Sequence, residues 1–323
     1  MSTTAQHVLV TGATSGLGFE AAAQLAESGH PSVVIAGRTT EKAQAAVSRL
    51  VERTGKEVFS TLAFDTSDSA AARAAVAELA EQGRSFDGLI LNAGAVMTEK
   101  RLTGEGIETT FGASILGHHI LTSGLIEAGL LTDRARVVIV GSEAANNDLP
   151  KMMGFAVSDF ALSPPTSDAD FTAKLAAFAR GEEPAKFDAN DQYATTKVVS
   201  AWWAAGMQRR HEGRFDFFNV SPGANLGTEA ARHITGPQKL MFGMMAKFGH
   251  LIGMNMPVEQ GAGRYISVFT GAGEFAPGGT FTSKPKKMTG PLARRTEGHL
   301  TDARRQDLAV GALDDLAAEL AAA

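Results

Sequence analysis

The stretch that decides the fold is His7-Val-Leu-Val-Thr11-Gly-Ala-Thr-Ser-Gly-Leu-Gly18, near the start of the chain. Its first residues form a short apolar run typical of a buried strand, and a helical pattern over 17–28 follows. Gly12, Gly16 and Gly18 lack the Cβ atoms that would keep a pyrophosphate away from backbone N–H groups, and a helix N-terminus adds a favourable dipole potential. The stretch therefore predicts a phosphate-binding turn. No Gly-Lys-Ser/Thr follows it, which disfavours triphosphate hydrolysis.

Apolar runs and helical patterns alternate along the rest of the chain. Strands that alternate with helices predict right-handed βαβ crossovers, so the expected fold class is α/β with a doubly wound parallel sheet of Rossmann type. Ligands of such sheets bind beyond the carboxyl ends of the strands. The predicted strands are 7–10, 32–36, 57–63, 89–91, 137–140 and 215–220, and the predicted helices include 17–28, 41–53, 69–82, 109–129 and 168–180.

The composition excludes several classes of protein. A chain of 323 residues with 44% hydrophobic and 20% charged residues can bury a sizeable core. Its formal charge of −5 argues against nucleic acid as a partner. The absence of cysteine excludes disulfides and thiolate chemistry, and the eight histidines show no HExxH-type spacing, so no metal site is predicted.

No targeting or membrane signal is readable in the sequence. The N-terminus has no basic segment followed by a long apolar run, which predicts a cytoplasmic protein. The most apolar stretch, Leu240 to Met256, is rich in methionine but is interrupted by Lys247, His250 and Asn255. It falls short of the roughly 20 apolar residues that a spanning helix needs, so no transmembrane segment is expected.

Arg38 follows the second predicted strand, in Ala36-Gly-Arg-Thr-Thr40. An acidic side chain at this place would accept hydrogen bonds from a ribose 2′-hydroxyl, whereas an arginine accommodates a 2′-phosphate. No acid stands beside Arg38, so the sequence favours NADP(H) over NAD(H). The alternative is that Arg38 only caps a surface helix.

Five motifs follow one another in an order that resembles the short-chain dehydrogenase/reductase family, over about Val8 to Ser283. They are Thr11 to Gly18, Leu91-Asn-Ala-Gly94, Arg136-Val-Val-Ile-Val-Gly-Ser142, Tyr193-Ala-Thr-Thr-Lys197 and Asn219-Val-Ser-Pro-Gly223. By this resemblance the catalytic residues are Ser142, Tyr193 and Lys197, with Ser114 in the place where the family usually has a relay asparagine. The residues implied to contact the cofactor are Gly12, Thr14, Ser15, Gly16, Leu17, Gly18, Arg38, Asp65, Thr66, Asn92, Ala93, Gly94, Tyr193, Lys197, Pro222, Gly223 and Thr228.

The chemistry of the Tyr193 and Lys197 pair also follows from their spacing. Residues four apart share one face of a helix, so both side chains can reach the same substrate and cofactor. A free tyrosine has a pKa of about 10, and a nearby lysine cation is expected to lower the pKa of Tyr193 so that proton exchange with a carbonyl oxygen becomes feasible. Ser142 would hold that oxygen by a hydrogen bond. The alternative is a surface pair on an amphipathic helix.

A long insert between Ser142 and Tyr193 departs from the family pattern. The insert, Glu143 to Asn190, carries eight acids against four bases and separates Ser142 from Tyr193. Long inserts here resemble the retinol-dehydrogenase-like and protochlorophyllide-reductase-like branches. The protochlorophyllide-reductase-like branch is thought to use a cysteine in its photochemistry. Because this chain has no cysteine, light-driven reduction is discounted. The insert is expected to be either a surface excursion or a lid over the strand ends.

The predicted organisation is a single Rossmann-type domain, residues 1–285, that binds NADP. It contains the insert, 143–190, and a substrate-side segment, 224–257, and it is followed by a C-terminal extension, 286–323. Trp202 and Trp203 follow Tyr193 on its helix, and one of them is expected in the core and the other at a subunit interface, because related proteins pair through this helix.

The leading hypothesis is an NADP(H)-dependent oxidoreductase that interconverts a carbonyl and an alcohol on a bulky apolar substrate, as a homodimer or homotetramer. One alternative is a cofactor-binding regulator or scaffold without turnover, and another is a double-bond reductase of the same fold.

Overall fold

The structure is a computed structural model that describes residues 7–225, 255–271 and 275–322. Its centre is one sheet of eight strands in the order β3-β2-β1-β4-β5-β6-β7-β8. All neighbouring strands pair in parallel except β8, which is antiparallel to β7. The strands are β1 His7–Thr11, β2 Ser32–Gly37, β3 Phe59–Ala63, β4 Phe86–Leu91, β5 Leu131–Val140, β6 Asp216–Val220, β7 Thr280–Ser283 and β8 Leu292–Arg294.

Helices cover the two faces of the sheet. Their bounds are α1 Gly16–Glu27, α2 Thr40–Thr54, α3 Ser69–Glu81, α4 Thr109–Phe111, α5 Gly117–Glu127, α6 Asp159–Leu162, α7 Asp168–Ala179, α8 Ala189–Arg210, α9 Val258–Thr270, α10 Gly298–Thr301 and α11 Ala303–Ala322. A π-helical turn, Gly112–Leu116, joins α4 to α5, and two 3₁₀ turns, Glu143–Asn146 and Lys151–Met153, follow β5.

Two apolar cores lie on opposite faces of the sheet. Along β1, Leu9 belongs to one core, and Val8 and Val10 belong to the other. This alternation follows from the strand period of two, and both faces are buried because crossover helices cover them. The prediction of a doubly wound parallel sheet in a single domain is confirmed.

The strands differ from prediction mainly at the end of the sheet that the family motifs do not reach. β7 and β8, with four and three residues, were not predicted, because such short runs have no period that a sequence pattern can show. Each is nonetheless paired, β7 with β6 and β8 with β7. β4 and β5 begin three and six residues earlier than predicted, at Phe86 and Leu131.

The predicted insert is only partly a surface excursion. Its longest helix, α7, buries Phe171, Leu175 and Phe178 in the core, and it packs against α11 of the C-terminal extension. Ion pairs join the same two helices at Arg180 and Glu319, 2.7 Å apart. The insert and the extension therefore stabilise each other, because neither apolar face would otherwise be removed from water.

Both tryptophans of α8 are buried, which corrects the prediction for one of them. Trp202 and Trp203 are each 0% exposed, with Trp202 against Phe171 of α7 and Trp203 against Phe217 of β6. The Trp202 indole donates to the His299 carbonyl at 2.6 Å, and the Trp203 indole donates to His119 Nδ1 at 3.1 Å. A subunit interface through these two side chains is therefore excluded in the folded chain.

No helix in the described ranges is long and apolar enough to cross a membrane. Most of the methionine-rich stretch lies in 226–254, outside the described residues, as does Thr228.

Candidate active site

A cavity of about 580 Å³ opens where the carboxyl ends of β1, β2, β3 and β4 meet. Its position beyond the carboxyl ends of the strands is the one predicted, at the point between β1 and β4 where the sequence order of the parallel strands changes direction across the sheet. The predicted cofactor residues that line it are Gly12, Thr14, Ser15, Gly16, Leu17, Arg38, Asp65, Thr66, Asn92, Ala93 and Gly94. The structure thus gathers residues that are up to 82 positions apart in the sequence.

The glycine turn has the backbone that a phosphate site requires. Gly12 and Gly16 have φ values of +63° and +57°, which side-chain-bearing residues rarely adopt. Gly18 does not line the cavity, which differs from the prediction that it contacts the cofactor. A Cβ on Gly18 would lie 2.5 Å from the Gly12 carbonyl oxygen, so this glycine allows α1 to approach the turn.

A buried hydrogen-bond chain supports the turn from below. Asn92 Nδ2 donates to the Thr11 carbonyl at 3.0 Å, and the Ala93 N–H donates to Thr11 Oγ1 at 3.0 Å. Thr11 Oγ1 also contacts His118 Nε2 at 2.9 Å, while His118 Nδ1 lies 3.2 Å from the Ser114 carbonyl oxygen. Burial lowers the pKa of His118 to about 3, so the imidazole is neutral. His118 is not among the residues predicted from the sequence, because its partner Thr11 is 107 positions away and no local pattern joins them.

Two further cations line the cavity beside Arg38. Lys42 and Arg49 lie on α2 and are seven residues apart, so they share a face of the helix. The Arg49 guanidinium also stacks over Phe19, 4.4 Å from the ring centroid. Neither residue is among those predicted from the sequence. The spacing of Lys42 and Arg49 on one helix face after Arg38 is the sequence signal that could have indicated them.

The predicted catalytic residues converge at the carboxyl end of β5. Ser142 stands two residues after the end of this strand, and its side chain is near enough to that of Tyr193 on α8 to influence the pKa of the tyrosine. Lys197 lies one helical turn further, with Nζ 5.8 Å from the centre of the Tyr193 ring. Nζ donates to the Val140 carbonyl at 2.8 Å, so the lysine is anchored to the strand that carries Ser142.

The expected lowering of the tyrosine pKa is not found. Burial raises the pKa of Tyr193, the hydrogen bond from Ser142 opposes this, and the charge of Glu143 raises it further. Burial also lowers the pKa of Lys197 to about 8. Desolvation disfavours the charged form of both groups and outweighs their mutual attraction. Tyr193 is therefore protonated near neutrality.

Ser114 stands in the π-helical turn between α4 and α5 and is 2% exposed. Its Oγ makes no hydrogen bond within the described parts of the chain. A Cβ on Gly94, which lines the cavity, would lie 3.0 Å from this oxygen. A buried hydroxyl with an unused donor and acceptor fits a site that is completed by a bound molecule or water.

Pro222 and Gly223 do not line the cavity, although the sequence predicts contact with the cofactor. They follow β6, the strand next to β5, so they lie at the same edge of the sheet as Ser142. Gly223 has a φ of +78°, and its N–H donates to Ser221 Oγ at 3.1 Å. The turn has a defined geometry of its own.

The residues present fit a phosphorylated dinucleotide. The cavity combines a glycine turn at a helix N-terminus, basic side chains on α2 and polar groups after β3 and β4. One wall of the cavity reaches Ala113, next to the unpaired Ser114 Oγ. These hydrogen-bond donors are those of an anion site. The cavity extends from that site toward the buried Ser114 hydroxyl.

Comparisons with known proteins agree with this geometry. The sequence pattern of the short chain dehydrogenase family matches residues 6–174. Protochlorophyllide reductase of Chlamydomonas reinhardtii is 29% identical over 273 residues, which is 81% of this chain and 65% of that protein. Human polyprenol dehydrogenase and human retinol dehydrogenase 12 are each 36% identical over 42% of this chain. The chain thus spans less than two thirds of the length of these relatives, 42% and 43% for the two human proteins.

Solved structures show the same fold. A protein of Mycobacterium paratuberculosis superposes with a TM-score of 0.64 at 22% identity and covers 98% of this chain, which in turn covers 92% of that protein. A short chain dehydrogenase of Burkholderia cenocepacia in complex with NADP superposes with a TM-score of 0.54 at 21% identity, covering 82% of this chain and 90% of its own.

Proposed function

Because the chain belongs to the short-chain dehydrogenase family of oxidoreductases, we propose that it reduces a carbonyl group with NADPH, and oxidises the alcohol in reverse. The observation that carries the proposal is the convergence of the Ser142 and Tyr193 hydroxyl groups, with Lys197 one helical turn away, at the strand edge that also carries the anion cavity.

Each of these residues has a role that its surroundings support. Ser142 and Tyr193 bind the carbonyl oxygen through their hydroxyl groups, and Tyr193 donates the proton that neutralises the developing charge. The raised pKa of Tyr193 keeps that proton in place at neutral pH. When bound, the reduced nicotinamide supplies the hydride. Lys197 holds the cofactor ribose in this proposal.

The cofactor proposal of NADP(H) depends on the charge at the far end of the cavity. Arg38, Lys42 and Arg49 place three cations around one rim, which suits a 2′-phosphate better than a 2′-hydroxyl. No acidic side chain other than Asp65 lines this cavity in the described residues, and Asp65 accepts two hydrogen bonds from Ser67 at 2.8 and 2.7 Å.

A bulky apolar substrate is supported by the part of the insert that borders Tyr193. Phe155 lies beside Tyr193 with the ring centres 6.0 Å apart. The Ala156 and Ser158 N–H groups donate to Asp191 and Thr195 at 2.9 Å, which aligns this segment of the insert with the first turns of α8. Retinol, polyprenol and protochlorophyllide, the molecules in the names of three relatives, are large and apolar. In this proposal residues 155–158 form one wall of the substrate pocket, and the insert acts as its lid.

The reaction is tested by NADPH oxidation over carbonyl compounds graded by size, with NADH in parallel. We expect turnover with large apolar ketones or aldehydes, and we expect Tyr193→Phe to lower kcat by about 100- to 10,000-fold, the range typical of a general acid, while NADPH still binds. Ser163→Ala, an exposed change in the insert away from Ser142, serves as the control. Carbonyl reduction that persists at the wild-type rate in Tyr193→Phe contradicts the assigned proton donor.

The same screen separates the two alternatives. A regulator or scaffold that only senses the cofactor would bind NADPH without oxidising it in the presence of any carbonyl compound. A double-bond reductase would give a product whose carbonyl group is intact, which product mass and structure identify.

A further inference from the structure

Glu143 follows Ser142 directly and is almost completely buried, with 4% of its surface exposed. Neither the family motifs nor the proposed reaction uses it. A carboxylate in such a place is costly unless each oxygen is paired, because burial removes its hydration. Its partners therefore show what the side chain holds together.

One carboxylate oxygen of Glu143, Oε1, binds helix α9 and the end of strand β7. Glu143 Oε1 lies 3.1 Å from Arg264 Nη1 on α9, and it accepts from the backbone N–H and the hydroxyl of Ser283 at 3.1 and 2.9 Å. Arg264 is 6% exposed and also donates to the Ser221 carbonyl at 3.2 Å and to Ser283 Oγ at 2.9 Å. The end of β7 and α9 are thus anchored to the residue after Ser142.

The other carboxylate oxygen binds the turn after β6. Ser221 Oγ donates to Glu143 Oε2 and accepts from the Gly223 N–H at 3.1 Å. Ser221 is fully buried. The chain of contacts runs from Glu143 through Ser221 to the Pro222–Gly223 turn, and it contains no exposed link.

We propose that Glu143 is a positioning residue, which through Ser221 sets the Pro222–Gly223 turn relative to Ser142. This inference rests on the proposed function, in which Ser142 holds the carbonyl oxygen and the turn borders the nicotinamide. Two loops after neighbouring strands must keep a constant separation for the reacting groups to align. Glu143 stands after β5 and binds the loop after β6 through Oε2, while Oε1 is held by α9 and the end of β7, so its carboxylate can set that separation.

A purely stabilising role explains the arrangement less well. Apolar side chains of similar volume often replace buried ion pairs with no loss of stability, so stability alone does not require Glu143 and Arg264. Asp216 provides a comparison. It is a buried acid at the amino end of β6, 3.4 Å from Arg134, and therefore remote from the strand edge that carries Ser142.

The test compares Glu143→Gln and Ser221→Ala with Asp216→Asn as a matched control. For the first two we expect kcat to fall about 10- to 100-fold, as misalignment of reacting groups does, with the KM for NADPH within about threefold of wild type. The isotope effect with NADPH deuterated at the transferred position should increase. Asp216→Asn should change the melting temperature only.

A second readout does not depend on turnover. The fluorescence lifetime of bound NADPH reports how firmly the nicotinamide is held, and it should shorten in Glu143→Gln and Ser221→Ala but not in Asp216→Asn. Folded variants with the lifetime and isotope effect of wild type would overturn the inference. If Glu143→Gln fails to fold, Ser221→Ala decides, because it removes one hydroxyl and leaves the ion pair in place.

The two proposals fail in different ways. A wild-type protein that binds NADPH but reduces no carbonyl refutes the proposed reaction, and the lifetime comparison still decides the role of Glu143. A wild-type protein that does not bind NADPH overturns both.

Discussion

Lys197 shows how a single residue is placed for function at a cost in stability. Lys197 is 5% exposed, and burial lowers the pKa of its ammonium group from 10.5 to about 8. The folded state holds this proton less tightly than the unfolded state. The buried ammonium group therefore destabilises the fold, and the full penalty applies at every pH below about 8. The penalty corresponds to about 3 kcal/mol, and the hydrogen bond to Val140 offsets about 1 kcal/mol of it.

We therefore expect Lys197→Met to raise the free energy of unfolding by about 2 kcal/mol at pH 7, while it abolishes carbonyl reduction. The wild-type protein should gain stability as the pH rises from about 8 to 10.5, and the variant should lack that gain. Denaturant unfolding across this pH range measures both. Lys56→Met, at an exposed lysine, is the control, and equal pH dependence in wild type and Lys197→Met would contradict the prediction.

Lys42 is the residue on which a test of cofactor preference is cleanest. It is exposed, so its removal should leave the fold intact, and it lines the cavity beside Arg38. Loss of one charge-assisted contact to a phosphate costs about 1.5 to 3 kcal/mol.

We expect Lys42→Ala to raise the KM for NADPH about tenfold or more, since 1.4 kcal/mol is a factor of ten, and to leave the KM for NADH nearly unchanged. Steady-state kinetics with both cofactors measures this. Lys56→Ala, just beyond the end of α2, should change neither value. A similar loss with both cofactors would mean that Lys42 does not face the 2′ position.

At the scale of elements, the contact between α5 and the loop after β3 shapes the cavity. Gly117 is the first residue of α5, and a Cβ there would lie 1.8 Å from the Thr66 carbonyl oxygen. Thr66 lines the cavity, as do Asp65 and Ser67. The helix can approach this loop so closely only because residue 117 has no side chain.

We expect Gly117→Ala to lower the free energy of unfolding by about 1 to 3 kcal/mol, because backbone must move, and to weaken NADPH binding. Thermal unfolding and fluorescence titration measure the two effects. Gly311→Ala is the matched control, because nothing lies within 4 Å of its Cβ position in α11, and it should stabilise the protein by about 0.5 to 1 kcal/mol. Unchanged NADPH affinity in Gly117→Ala would show that the loop does not contribute to binding.

At the scale of the whole molecule, the C-terminal extension is part of the core. α11 packs on α7 and α8, and it buries Val310, Leu313 and Leu316. Its Asp314 lies 3.2 Å from the buried His119 and 2.8 Å from Arg210. Since α8 carries Tyr193 and Lys197, we propose that the extension and the Rossmann-type domain unfold as one unit.

Leu313→Ala tests this unit. Removal of a buried leucine side chain should lower the free energy of unfolding by about 2 to 5 kcal/mol. If the chain is one cooperative unit, the unfolding transitions measured by tryptophan fluorescence and by circular dichroism should have the same midpoint. Both midpoints should move to the same lower denaturant concentration in the variant. Leu102→Ala, at a leucine that is 50% exposed, should cost little. Two separate transitions, with only one of them shifted, would show that the extension unfolds independently.

Oligomeric assembly is also decided at this scale. The family resemblance predicts pairing through α8, but Trp202 and Trp203 of this helix are buried within the chain, and α11 also packs against the helix. A homodimer or homotetramer, if formed, then uses another surface in our proposal.

The amino-acid sequence alone determined the alternation of strands and helices, the glycine turn and the spacing of Tyr193 and Lys197. These features depend on the geometry of a few consecutive residues, so local periodicity reveals them. Tertiary structure alone decided that His118 supports Thr11, that both tryptophans are buried within the chain, and that Glu143 joins Ser221 to Arg264. It also reversed the expected pKa shift of Tyr193. Packing brings Glu143 together with side chains that are 78 to 140 positions away, and burial, which no local pattern measures, shifts the pKa of Tyr193 and Lys197.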